Sequence, residues 1–176
     1  MTSEPEPAEL ISHGDWNVPY GELAETYTED EARARDVAGL EYWVLVGDPQ
    51  SPTVAMKVAV RRVHYAVYYL DDLRRMTTRT LFVPEDKENR SDPNGRLLLE
   101  QAHWKEYDHR DPPPQGQATL AGGMYLKHDG SFWATRETEH GNEAANEQLP
   151  PDQAAYYLWE PVPAFGDWAS ILRFER

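Results

Sequence analysis

Residues 53–83 read T-V-A-M-K-V-A-V-R-R-V-H-Y-A-V-Y-Y-L-D-D-L-R-R-M-T-T-R-T-L-F-V, and the fold turns on how this stretch is read. It is the longest block without Gly or Pro, and it is dense in β-branched and aromatic residues. Val54, Met56, Val58 and Val60 alternate with Ala55, Lys57, Ala59 and Arg61, the period of a strand with one buried face. After Arg61-Arg62 the phase slips by one, so that Val63, Tyr65, Val67 and Tyr69 form the apolar set. A continuous strand would need a bulge there. A tight turn is the alternative, although no Gly, Asn or Asp supports one. Val60, Val63, Val67 and Leu70 also have helical spacing, which would make 59–76 a helix. Strand is favoured, because β-branched residues and Tyr between 63 and 69 lose rotamer freedom in a helix and suit a pleat.

Outward from this block, Glu41–Val46 is a short strand-like run, and 47–52 carries Gly, Asp and two prolines. The two runs predict an antiparallel pair. Asp71–Arg75 reads as a polar turn, and Thr77–Val83 as the next strand, stopped by Pro84. Upstream, Thr28-Glu29-Asp30-Glu31 has the pattern of a capping box and predicts a helix over 29–38, ended by Gly39. Residues 10–23 read as an irregular segment or short strand packed by Trp16. Residues 1–9 are acidic and poor in apolar groups, which predicts a disordered tail.

Downstream, 84–95 is a charged loop, and 96–104 leans towards strand. The run Asp111-Pro112-Pro113-Pro114 predicts extended polyproline. Met124–Thr135 is a hairpin signature, with Asp129-Gly130 suited to a type I′ turn. Residues 137–148 are polar and acidic, a loop or weak helix. Short helices are expected after Pro151 and over 167–173. Together these elements predict one α+β domain over 10–176, with a mostly antiparallel, curved sheet and a few short peripheral helices.

The chain has 176 residues, no cysteine and a net charge of −14. Residues 1–50 contribute −10, residues 51–110 contribute +2 and residues 111–176 contribute −6. Thiolate chemistry and disulfides are excluded. Direct binding to nucleic acid or anionic membrane needs a basic footprint that is lacking. No apolar run approaches a membrane span, and the N-terminus lacks the features of a secretory signal, so a cytoplasmic protein is expected.

No catalytic fingerprint is present, and no cofactor is implied. His103, Glu106 and His109 would share a helical face, but the spacing is not that of a zinc protease, and a solvated polar segment is the plainer reading. His64, with Arg62, is the candidate for general-base or anion chemistry. Arg61, Arg62, Arg74, Arg75 and Arg79 would form either internal ion pairs or a pocket for an anion. Gly122-Gly123 reads as a bend or bulge.

Small size, strong acidity and the lack of a catalytic motif lead to a protein-binding or inhibitory role as the first expectation. An immunity-type inhibitor that neutralises a basic toxin is its concrete form. The expected contact residues are the acids Asp71, Asp72, Glu137, Glu139, Glu143 and Glu147, with Tyr157 and Trp159 as aromatic anchors. The alternative is a small enzyme or binder of an anionic small molecule, with a pocket in the sheet.

Overall fold

The computed structural model describes residues 11–18, 21–86, 95–107, 118–138 and 141–173. The expected tail at 1–9 and the polyproline run lie outside them, as does most of the charged loop. Ten strands form one antiparallel sheet, a meander from β3 to β10 with the β1–β2 hairpin added beside β3 through β1: β1 (Ile11–Asn17), β2 (Glu22–Tyr27), β3 (Tyr42–Asp48), β4 (Ser51–Ala59), β5 (His64–Leu70), β6 (Met76–Pro84), β7 (Arg96–Tyr107), β8 (Ala118–Leu126), β9 (Ser131–Thr138) and β10 (Gly141–Gln148). Their spatial order is β10-β9-β8-β7-β6-β5-β4-β3-β1-β2, and the sheet does not close. A short β11 (Trp159–Pro161) pairs with the start of β7. The helices are α1 (Glu29–Val37), α2 (Pro151–Tyr157) and α3 (Ala169–Leu172). The mostly antiparallel sheet with a few short helices is as expected, although helix is a smaller component than the α+β class suggests.

The decisive block folds as β4, β5 and β6. Its phase slip is neither a bulge nor a helix. A 3-10 turn over Val60–Arg62 reverses the chain, and Val63 follows it with φ 44°. A left-handed valine costs about 1–2 kcal/mol. The β4–β5 ladder around it, with six opposed residue pairs from Val54–Tyr69 to Ala59–His64, holds it there. The other end of β5 is closed similarly. Arg74 has φ 60° and donates from Nη1 to the Gly21 carbonyl at 3.2 Å. Asp71 builds this turn by accepting from the amides of Leu73 and Arg75 and from the Arg75 guanidinium.

Two other local expectations change. In the β8–β9 hairpin the Gly130 amide donates to the Lys127 carbonyl, and the hairpin's only positive φ is that of Gly130, 81°. The turn is thus type I with a left-handed glycine after it, not type I′. Residues 141–148 are a strand, where a loop or weak helix was expected. β10 pairs with β9 from Gly141–Thr138 to Gln148–Ser131, and all eight of its residues are exposed. With no covered face there is no hydrophobic period to read. The capping box of α1 is present as expected, with the Glu31 amide donating to the Thr28 hydroxyl and the Thr28 amide to the Glu31 carboxylate.

The sheet has an inner face and an outer face. On the inner face, directly opposed residues run from His13 through Val44, Met56, Val67, Thr80 and Ala102 to Met124. The main core lies on this side and includes Tyr42, Tyr65, Phe82 and Leu97–Leu99. Full burial of each such side chain is worth roughly 1.5–3 kcal/mol. A smaller cluster of Trp16, Trp43, Leu45 and Ala55 lies apart from it.

The chain after β10 returns across the inner face. Leu149 and Leu158 pack against the core beneath β6–β9, and the Leu99 amide donates to the Leu158 carbonyl. Further on, Phe165 stacks on His13 and packs against Tyr42, and Trp168 and Ile171 are buried in the core. The buried Glu160 pairs with Arg173, and the Tyr69 hydroxyl donates to the Leu172 and Arg173 carbonyls. Burial lowers the pKa of His13, with Glu29 opposing the shift.

Candidate functional site

The return segment fills the inner face beneath β1–β5 but leaves space beneath β6–β9. That space is a cavity of about 450 Å³. Its walls are Tyr69 of β5, Thr78 and Thr80 of β6, Leu99, Ala102 and Trp104 of β7, Met124 and Leu126 of β8, Phe132 of β9, and Leu149 and Leu158 of the return segment. Among the described residues no lining side chain is charged.

The ladder explains why space is left. Thr80 opposes Ala102, and Ala102 opposes Met124. Two small residues therefore lie side by side in the floor, between larger neighbours. One step along the strands Thr78 opposes Trp104, and Trp104 opposes Gly122. A Cβ built on Gly122 would lie 2.2 Å from Trp104 Cζ2 and 2.8 Å from the Thr135 carbonyl oxygen. The indole thus occupies the room that a side chain at 122 would take. Gly122 and Gly123 are paired strand residues within β8 whose missing side chains admit their neighbours; on the outer face His103 covers Gly123 in the same way.

Two hydroxyls matter in this wall. Tyr69 is engaged by the Leu172 and Arg173 carbonyls at 3.3 and 3.0 Å. Thr80 is only 7 % exposed, and its Oγ1 has no hydrogen-bond partner among the described residues. Neither threonine of the cavity was anticipated as a site residue. The available signal was a polar residue at inward-facing positions of the T-T-R-T run.

The residues singled out from sequence are dispersed. His64 and Arg62 sit at the β4–β5 turn, and His64 does not line the cavity. Arg75 is buried, pairs with Asp71 at 2.8 Å and lies over the Tyr107 ring. Arg79 faces the outer side, over Tyr68. The arginines therefore do not line one anion pocket. His103 and Glu106 lie three residues apart on a strand, hence on opposite faces, and His109 is outside the described residues. Among the described residues no three metal-ligating side chains come together.

Of the expected partner contacts, Asp71 is used to build its turn, and Asp72 is exposed beside it. Glu137, Glu143 and Glu147 are exposed on β9 and β10, and Glu143 opposes Arg136. Glu139 lies outside the described residues. Tyr157 ends α2. Trp159 is partly buried, with Arg96 over its ring and His128 against its edge. On the outer face Tyr125 and Trp133 are exposed and stack at 5.5 Å.

No family model matches this chain, and neither the curated proteins nor the solved structures give a match.

Proposed function

We propose that this protein binds a small, mostly apolar molecule in the cavity beneath β6–β9. The single observation behind this reading is the cavity itself, whose volume and apolar lining fall in the range of small-molecule sites. A lining without charge among the described residues favours a neutral ligand over the anionic one considered from sequence. Titration with N-phenyl-1-naphthylamine, whose fluorescence rises in apolar surroundings, is expected to show saturable binding at one site per chain. A linear, unsaturable rise would count against the reading.

A second reading keeps the acidic surface as a contact for a basic protein. The feature in its favour is β10, an exposed strand at the edge of the described sheet that carries Glu143 and Glu147. Such an edge can accept a strand from a partner, and its carboxylates would attract a basic one. Association with a basic neighbour is expected at low salt and should weaken as salt rises. Absence of any basic partner at low salt would remove this reading.

A further inference from the structure

We propose that the cavity selects, among apolar molecules, those that carry one neutral hydrogen-bonding group, and that Thr80 makes the selection. This inference rests on the ligand-binding reading above. Thr80 lines the cavity, is buried, and has a hydroxyl without a partner among the described residues. Its cross-strand neighbours Val67 and Ala102 have no polar side-chain atom to offer. The backbone of β6 is paired on both sides, to β5 and to β7.

Valine would fill the same volume at this position without the penalty of an unpaired buried hydroxyl. Threonine there is accounted for if the pairing group arrives with the ligand. Hydroxyl and methyl leave the same carbon; the hydroxyl is closed off as it stands, and a 120° turn about χ1 brings it to the methyl's place while the methyl takes the hydrogen's. A hydroxyl donates and accepts, so an alcohol, phenol or ketone oxygen on the ligand would suit it. A carboxylate or ammonium would be stripped of water with no opposite charge among the described lining residues. The ligand class is therefore a neutral hydrocarbon skeleton bearing one oxygen function.

The test uses a matched pair, 2-naphthol and 2-methylnaphthalene, each competing with N-phenyl-1-naphthylamine for the full-length protein. In Thr80→Val the ratio of the two affinities should move about tenfold towards the methyl compound, the usual worth of one neutral buried hydrogen bond. Thr80→Ala should reproduce that shift, and Thr80→Ser, which keeps the hydroxyl, should retain the wild-type ratio. Without ligand, Thr80→Val should melt higher than wild type. A lower melting temperature would mean that the hydroxyl is already paired within the protein and would overturn the proposal. Binding of both compounds with an unchanged ratio in Thr80→Val would overturn selection by Thr80 and leave the cavity reading standing. Failure of both compounds to displace the dye, or of the dye to bind, would overturn both.

Discussion

Gly122→Ala is expected to destabilise the protein by about 2 kcal/mol and to lower its melting temperature by roughly 4–8 °C. An alanine at an ordinary strand position would normally be neutral or mildly stabilising, because it restricts the unfolded chain. Here the added carbon would lie 2.2 and 2.4 Å from the Trp104 ring and 2.8 Å from a backbone oxygen. The oxygen belongs to Thr135 on the neighbouring strand and cannot give way without shifting β9. The indole must therefore tilt off β8 and out of the cavity wall. Two readouts should move together: thermal stability and tryptophan emission, with dye affinity falling alongside. An alanine variant with wild-type stability and emission would show that Trp104 does not lie across Gly122.

The second large effect is expected at Ala102. In Ala102→Phe the ring should enter the cavity and weaken dye binding about a hundredfold. Losing the burial of one aromatic ring is worth roughly 2–3 kcal/mol, and each 1.4 kcal/mol is a factor of ten in affinity. The fold should survive, with a melting temperature equal to or above that of wild type, because the new side chain occupies existing space. At a fully packed position the same change would cost roughly 1–3 kcal/mol. Binding lost with stability kept is the signature of a filled cavity. Stability lost by several degrees would mean that this part of the inner face is already full.

Much of the sheet was legible because burial leaves a period of two. Val54–Val58 and Tyr65–Tyr69 each alternate, and each lies in a strand with its apolar set on the core side. The turn between them was obscured by Val63. Local rules reserve left-handed geometry for Gly and Asn, whereas here long-range pairing on both sides of a β-branched residue outweighs them. β10 was misread for the opposite reason, since neither of its faces is covered and its only structural instruction is its partner β9.

The cavity could not be seen in the chain at all. Its walls run from Tyr69 to Leu158, and each residue, taken alone, reads as ordinary core. The histidines and arginines that drew attention did so by chemical type. The structure uses Arg75 to close a turn and Arg74 to brace one, tasks that need charge but no ligand.

Consider finally that one wall of the cavity is the return segment, which contributes Leu149 and Leu158 and is not a continuous part of the meander. Strands stand about 4.8 Å apart, so the floor can change only by whole side chains on a fixed lattice. The opposite wall is tied to that lattice only where Leu158 and β11 pair with β7. Lengthening or trimming the stretch between β10 and α3 would resize the chamber while leaving the β1–β10 ladder untouched. Tolerance for new guests is thereby uncoupled from the meander, an arrangement that favours rapid evolutionary retuning of what the protein holds.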